Sequence, residues 1–361
     1  MAWFVCILLL LFGFVLLVKG ADFFVDGAAG IAEKLKVSTF IIGMTIVALG
    51  TSAPEAAVSI ISAVSGEGEV IMGNVLGSNL INILLILGIS ALISFIPVEK
   101  RSRVLDLPFL IITSILFLFL GDLGGGFAWY DGLILLALYG VFMTYTIILA
   151  KRQTGSICSL SEDACTTVIQ TDEKKSGLKG FIQGFTAKYQ KLKEEKVWFL
   201  ILITIVGLGM VIGGAELVVQ SATYIAQDLL RIPTGIVALT VVAFGTSLPE
   251  LVTSITAAKK GDMGLATGNI IGSNIANILL VAGLGFISSG NNVVAFDTSS
   301  LLDGYASVIA AVLLLIFGFC NKKRLGKVAG SVFLFCLIAF FTYRILATVG
   351  IVPLITIPTI F

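Results

Sequence analysis

The chain has 361 residues, of which 57% are apolar and 12% are charged, and its mean hydropathy is +1.07. This composition excludes a soluble domain of the same length and indicates a polytopic membrane protein. The formal net charge of +1 gives no reason to expect a nucleic-acid partner.

Ten apolar segments are long enough to cross a hydrocarbon layer of ~30 Å, which takes ~20 helical residues. They lie at 2–33, 39–63, 69–95, 104–121, 129–150, 197–227, 232–257, 263–288, 301–320 and 328–347. The first and sixth segments are too long to stand upright, so we expect them to tilt or to project beyond the bilayer. The sequence therefore predicts an all-α fold with ten transmembrane helices, five in residues 1–150 and five in residues 197–347. A polar loop at 151–196 joins the two sets, and a tail follows at 348–361.

The two sets of five segments are copies of one unit. GTSAPE at Gly50–Glu55 returns as GTSLPE at Gly245–Glu250, and GNVLGSNLIN returns as GNIIGSNIAN. Alignment of residues 43–88 with residues 238–283 needs no gap and gives 22 identities in 46 positions. Two unrelated apolar helices would not match at this level, so the chain is an internal duplication.

An odd number of helices per copy requires the two repeats to insert with opposite orientations. If the loop at 151–196 is cytoplasmic, 20 of the 23 Lys and Arg residues lie at cytoplasmic ends, and the exceptions are Lys19, Arg231 and Arg344. The positive-inside rule therefore predicts inverted repeats with both termini outside. Residues 1–18 lack the basic start of a signal peptide, so we expect the first helix to be retained.

A proline interrupts the second helix of each repeat. Pro54 and Pro249 each remove one backbone N–H and displace the carbonyl four residues earlier, so the helix is expected to open there. The carbonyl groups expected to turn into a cavity are those of Ala48, Thr51, Ala243 and Thr246.

Oxygen-bearing side chains surround the interruption. Thr51 and Ser52 precede Glu55 by four and three residues, so a continued helix would place both hydroxyls on the carboxylate face. Ser78 and Asn82 are one helical turn apart on the next segment. Carboxylate, hydroxyl, amide and carbonyl oxygens are hard ligands of the kind that calcium and sodium prefer.

Two buried glutamates narrow the identity of the ion. Glu55 and Glu250 would repel each other in a low dielectric and hold a proton part of the time, whereas one divalent cation cancels both charges. Carboxylates inside a membrane mark ion or proton pathways, and matched positions in two half-chains indicate a transporter. Calcium suits this pair, and sodium can compete for the same oxygens.

GTSAPE with GNVLGSN and GTSLPE with GNIIGSN resemble the two signature regions of the cation/calcium antiporters, and in particular of the sodium/calcium exchangers. The resemblance covers both repeats and hence all ten predicted helices. It implies that calcium and sodium are the transported ions, that no cofactor is needed, and that the ions bind at corresponding residues of the two repeats. These are Ala48, Thr51, Ser52, Glu55, Ser78, Asn82, Ala243, Thr246, Ser247, Glu250, Ser273 and Asn277.

Two features refine the resemblance. Many members have Asp at the position of Asn277, so here two carboxylates and two amides are expected at the centre. The central loop is too short for the calcium-sensing domains of animal exchangers, which indicates a prokaryotic transporter in the cytoplasmic membrane. Calcium, sodium and the lipid bilayer are then the expected partners, and no obligate protein partner or enzymatic activity is expected.

Other interpretations remain open at this point. A proton-coupled cation exchanger of the same fold is the main alternative, although the chain has no histidine, and a passive channel is the next. Ser and Asn residues also bridge membrane helices, so Asn74, Asn79, Asn269 and Asn274 either shape a break in the third helix of each repeat or bind ions. Lys19, Asp22 and Asp26 lie on one helical face and are expected to form a local charge pair.

Overall fold

The computed structural model describes residues 2–157, 196–225, 243–320, 324–348 and 351–353. Helices dominate because backbone groups inside a membrane must bond within their own segment. The α-helices are α1 Ala2–Lys34, α2 Thr39–Ile42, α3 Ala48–Thr51, α4 Ala53–Ser65, α5 Gly68–Leu80, α6 Gly88–Ile93, α7 Leu107–Leu123, α8 Trp129–Ile157, α9 Val197–Tyr224, α10 Ala243–Thr246, α11 Leu248–Lys259, α12 Met263–Ala276, α13 Ala282–Ser288, α14 Thr298–Phe319 and α15 Lys327–Thr348. Four π-helical segments, π1 to π4, are Gly43–Val47, Ile81–Leu87, Ser102–Asp106 and Asn277–Val281.

The helices follow the predicted apolar segments closely. Within the described residues, eight helical spans are long and apolar enough to cross a membrane, and the bent pair Thr39–Thr51 with Ala53–Ser65 makes a ninth. The remaining predicted segment, 232–257, is described only from residue 243 onward, where it forms α10 and α11. The prediction of an all-α fold with ten spans is therefore confirmed in its architecture, with short strands as an addition.

The second helix of each repeat is broken two residues before its proline. Ser52 (φ −83°, ψ 4°) separates α3 from α4, and Ser247 (φ −88°, ψ 5°) separates α10 from α11. The two halves of the first broken span are bent by 41°. Each new helix carries its proline in the first turn, where a missing N–H costs nothing. The predicted opening at Pro54 and Pro249 is confirmed.

The third helix of each repeat is continuous rather than broken. It passes from α5 through π2 into α6, and from α12 through π4 into α13, so the expected break there was wrong. The wider π turns begin at Ile81 and Asn277 and shift the backbone beside the GSN motif. These two spans form the centre of the molecule, since 72% and 83% of their most apolar stretch is buried, against 22% to 44% for the other unbroken spans.

The first helices of the two repeats, α1 and α9, lie directly against each other. A Cβ added at Gly13 would lie 3.0 Å from the carbonyl oxygen of Gly214, and one added at Gly20 would lie 2.9 Å from that of Gly207. Residue numbers rise along one helix as they fall along the other, so the pair is antiparallel. Corresponding helices of the two repeats therefore run in opposite directions, as inversion requires.

Two short β-ribbons connect the repeats and correct the purely helical expectation. β1 (Ile96–Pro97) pairs with β4 (Arg324–Leu325), and β2 (Gly126–Phe127) pairs with β3 (Val294–Ala295), both antiparallel. Each ribbon joins the loop after the third helix of one repeat to the loop after the fourth helix of the other. Only inverted repeats bring those two loops to the same side of a membrane, so the ribbons are independent support for inversion.

Candidate functional site

Two glutamates occupy the first turns that follow the two helix breaks. Glu55 lies in the first turn of α4 and Glu250 in the first turn of α11, and both side chains are fully buried. The N-terminal ends of these helices favour negative charge. The carboxylates are close enough for their charges to repel each other. The predicted meeting of one acid from each repeat is thus present in the fold.

Several carboxylate oxygens lack a hydrogen-bond donor. Among the described residues, neither oxygen of Glu55 has a partner, and Oε2 of Glu250 has none either. Buried polar atoms are nearly always hydrogen-bonded, and a buried charge without a partner costs several kcal/mol. A bound cation would compensate these oxygens directly.

Hydroxyls next to the first break contact the other repeat. Ser52 Oγ donates to Glu250 Oε1 at 3.2 Å, and Ser273 Oγ donates to the same oxygen at 3.5 Å. Thr51 Oγ1 donates to Asn269 Oδ1 at 3.1 Å. The expectation that Thr51 and Ser52 would face their own Glu55 was wrong, because the helix turns at Ser52. The site is instead assembled across the two repeats.

The backbone carbonyls are less open than expected. The carbonyl of Ala48 accepts the Ser52 N–H at 3.0 Å and the Thr51 hydroxyl at 3.4 Å, so the break does not free it of hydrogen bonds. Ala243 begins α10, one turn before the second break, and Thr246 ends that helix in a partly buried position. Prediction of open carbonyls from proline alone therefore overstated the effect.

The third helices contribute buried hydroxyl and amide groups. Ser78, Asn82, Ser273 and Asn277 are each at most 2% exposed. Asn82 Nδ2 donates to Asn274 Oδ1 at 3.3 Å. Ser78 Oγ and both polar side-chain atoms of Asn277 have no hydrogen-bond partner among the described residues. These groups add neutral oxygens to the two carboxylates.

A second set of side chains holds the broken helices to the third helices. Asn74 Nδ2 donates to the Glu55 carbonyl and to Ser59 Oγ, both at 2.9 Å, and Asn269 Nδ2 donates to Ser254 Oγ at 2.9 Å. Sequence reasoning left the asparagines undecided and missed the two serines. The signal was present, because Ser59 and Ser254 occupy the same position in the two aligned repeats.

The donor set has a definite chemical character. No group of three or more His, Cys, Asp or Glu residues that could hold a metal ion occurs in the described part of the chain. Two carboxylates with hydroxyl and amide oxygens fit hard cations such as calcium and sodium, whereas zinc or copper would need nitrogen or sulfur ligands.

The predicted charge pair within α1 was wrong. Lys260, at the end of α11, contacts both acids instead: its Nζ lies 2.7 Å from Asp26 Oδ1 and 3.2 Å from Asp22 Oδ1, and it donates to the Asp22 carbonyl at 2.8 Å. The contact joins α1 to α11, 234 residues apart. Helical spacing identified the two acids correctly but not the distant cation that pairs with them.

Comparison with known proteins agrees with this arrangement. Residues 5–148 and 199–346 match the family described as sodium/calcium exchanger protein. The chain is 34% identical over 339 residues to a putative antiporter CaxA of Alkalimonas amylolytica, covering 93% of this chain and 97% of that one. It is 32% identical over 305 residues to the sodium/calcium exchanger MaX1 of Methanosarcina acetivorans, covering 77% and 81%. The fold matches the sodium-calcium exchanger NCX_Mj with a TM-score of 0.75 and 30% identity, over 94% of this chain and 99% of that one.

Proposed function

This chain belongs to the sodium/calcium exchanger protein family, and from that premise we propose that it exchanges calcium for sodium at one shared site between its repeats. The protein is a multi-pass membrane transporter of the cation/calcium antiporter type and not an enzyme. Calcium and sodium are the ions that the family transports, and it needs no cofactor. The identity of the site residues and the coupling to sodium are the parts we propose.

The observation that carries the proposal is the set of buried oxygens without hydrogen-bond donors. Both oxygens of Glu55, one of Glu250 and the amide oxygen of Asn277 are buried without a partner in the described residues. Buried carboxylates of this kind are stable side by side when a bound cation or a proton neutralises them, and a cation would also give the amide oxygen a partner. The proposed ion ligands are Glu55 and Glu250 with Thr51, Ser52, Ser78, Asn82, Thr246, Ser247, Ser273 and Asn277, and with the carbonyls of Ala48 and Ala243.

Charge balance selects calcium and explains exchange. Two carboxylates supply a charge of about −2, which one calcium ion cancels, while sodium ions satisfy the same kind of oxygen. Because both ions need the same ligands, occupation by one excludes the other. A proton-coupled exchanger is the second candidate, and the absence of histidine counts against it.

The antiparallel pair α1 and α9 gives a route for alternating access. We propose that these two helices move together past the other eight spans, since their contact is made through glycines such as Gly13 and Gly207. Small residues let α1 and α9 approach each other closely, so the pair can move as one unit with little interlocking. The distribution of Lys and Arg supports a cytoplasmic-membrane location with the 151–196 loop inside and both termini outside. We further propose 1–150 and 197–347 as the two transport units, with no obligate protein partner.

Flux in sealed vesicles tests the proposal. Calcium uptake that follows an outward sodium gradient supports sodium/calcium exchange. Uptake driven by a pH gradient and unaffected by sodium would replace it with the proton-coupled alternative. Uptake without any countergradient would show a passive pathway. Crosslinking α1 or α9 to one of the other eight spans should stop exchange while calcium binding persists, and normal turnover of the crosslinked protein would reject the sliding step.

A further inference from the structure

We infer that Arg103 anchors the phosphate of an anionic phospholipid at one end of the molecule, between the two repeats. Arg103 lies in π3, at the start of the span Ser102–Leu123, and packs against the end of α14. This site lies outside the ion centre and is independent of the proposed sodium coupling.

Arg103 is a buried cation without a counter-charge among the residues that the structure describes. The residue is only 7% exposed, and its guanidinium carbon lies 5.5 Å from the centre of the Phe319 ring. Its Nε atom has no hydrogen-bond partner, and no carboxylate of the described residues lies within ion-pair distance. Stacking on an aromatic ring orients a guanidinium but does not neutralise it. An anion bound at this guanidinium would neutralise its charge.

The other arginines described in these spans do have counter-charges. Arg101 Nε lies 3.5 Å from Asp106 Oδ1, and Arg344 Nε lies 3.0 Å from Asp303 Oδ1. The Arg344–Asp303 pair ties the fourth to the fifth helix of the second repeat, and Arg101 does the same in the first repeat by donating from Nη2 to Thr146 Oγ1 at 3.2 Å. Arg103 makes no comparable contact with any described residue, so an ion pair within the described part of the chain does not account for it.

The surroundings of Arg103 are positively charged overall. The segment 99–106 contains three basic residues, Lys100, Arg101 and Arg103, and two acidic ones, Glu99 and Asp106. Burial raises the pKa of the Glu99 carboxyl above its usual value, while Arg101 opposes that rise and Asp106 adds to it. The pairing of β1 with β4 adds a further cation, because Pro97 lies opposite Arg324.

The apolar surface beside Arg103 distinguishes a lipid from a free anion. Val104, Leu105 and Phe319 are 54%, 41% and 56% exposed and lie at the end of membrane spans. A phosphate held by Arg103 would therefore have acyl chains beside these side chains. By the positive-inside pattern this is the cytoplasmic end, where anionic lipids attract basic residues. Arginine suits a phosphate because its planar group donates two parallel hydrogen bonds.

Lipid retention measured by native mass spectrometry tests this inference. The full-length protein in detergent is incubated with phosphatidylglycerol, with phosphatidylcholine, or with phosphatidylglycerol plus excess inorganic phosphate. The lipid that stays bound after release from the detergent is then measured. We expect Arg103→Ala to lower the apparent affinity for phosphatidylglycerol roughly 5-fold, the effect of one basic residue at an anionic surface. Lys259→Ala, which removes an exposed cation at the end of α11, is the matched control and should retain the lipid as the wild type does.

The remaining measurements provide a folding control and distinguish a lipid headgroup from free phosphate. Arg103→Gln keeps a planar donor without charge, and it should show the same loss while exchanging calcium normally, which proves that the protein is folded. Equal retention by wild type, Arg103→Ala and Arg103→Gln would overturn the site. Equal affinity for phosphatidylcholine and phosphatidylglycerol would overturn the anionic preference, and displacement by inorganic phosphate would show a free-anion site instead.

Discussion

Glu250 and Glu55 occupy the same position in two copies of one motif, yet their surroundings differ. Glu250 accepts hydrogen bonds from Ser52 and Ser273, whereas neither oxygen of Glu55 has a donor among the described residues. Ser247, which corresponds to Ser52, has no partner for its hydroxyl in the described part of the chain either. One half of the centre is therefore hydrogen-bonded and the other half is not.

The same difference appears on the third helices. Asn82 donates to Asn274 Oδ1, but the corresponding pair does not form, since Asn277 and the Asn79 amide oxygen lack partners in the described residues. The residues at these positions are identical in the two repeats. Composition cannot produce the difference, so the packing of one repeat against the other must. In an inverted duplication, a change of access from one side of the membrane to the other would exchange the conformations of the two repeats. The unequal hydrogen bonds of the two halves would then be exchanged as well.

The comparison extends to the ends of the broken helices. Lys260 bridges α11 to Asp22 and Asp26 of α1, while the aligned position in the first repeat is Ser65. On α9, Gln220 Nε2 donates to Glu216 Oε1 within the same helix at 2.5 Å. Here the sequences themselves differ, and within the described ranges an ion pair between a first helix and a broken helix forms on one side only.

Neutralising either glutamate should have the largest effect. Glu55→Gln or Glu250→Gln leaves one charge to balance a divalent ion, and the loss should be on the order of several kcal/mol of calcium binding, enough to abolish exchange. Calcium binding and sodium-driven flux measure it, with the exposed Glu69→Gln as control. Near wild-type exchange in either variant would remove that glutamate from the centre and break the equivalence of the two halves.

Removing the Lys260 contact should have the next largest effect. Lys260 is mostly buried, with 13% of its side chain exposed. Lys260→Ala should therefore weaken the contact of α1 with α11, and the two helices should separate about 10-fold more often. The measurement is the labelling rate of a cysteine placed at buried Ser254 in a cysteine-free background. Lys259→Ala is the matched control, and equal labelling rates in all three proteins would assign Lys260 no part in closure.

Ser52 and Ser247 should differ when the site holds no ion. Ser52→Ala removes a hydrogen bond to a carboxylate and should destabilise the ion-free protein by about 1–2 kcal/mol, whereas Ser247→Ala should change its stability less. Thermal unfolding in calcium chelator compares them. Equal losses would mean that the two halves are equivalent in the ion-free protein.

Potassium should have no effect on exchange. Asn277 is an amide in a buried position where an acid would add a negative charge, so the centre has two carboxylates and no evident means of balancing a further cation. Calcium flux at a fixed sodium gradient should be equal with and without potassium. If one calcium exchanges for three sodium ions, flux should also follow a clamped membrane potential. A strict potassium requirement would reject the role given to Asn277, and indifference to voltage would reject that stoichiometry.

Sequence analysis was sufficient to predict the number of spans, the duplication, the inversion and the positions of the two acids. Each follows from a local or internally repeated property: apolar length, the distribution of Lys and Arg, or the alignment of residues 43–88 with residues 238–283. The helix break at Ser52 also followed from its sequence neighbours, because proline acts within one turn.

The contacts between side chains depend on how distant helices pack, which the folded structure alone reveals. Ser52 contacts Glu250 rather than Glu55, Asp26 contacts Lys260 rather than Lys19, and Asn82 contacts Asn274. These pairs are 192 to 234 residues apart, and helical periodicity gives the face of each helix but not its rotation or height against a distant partner. The unequal halves are beyond any sequence argument for the same reason: the two motifs are nearly identical, and only the packing between them makes their surroundings different.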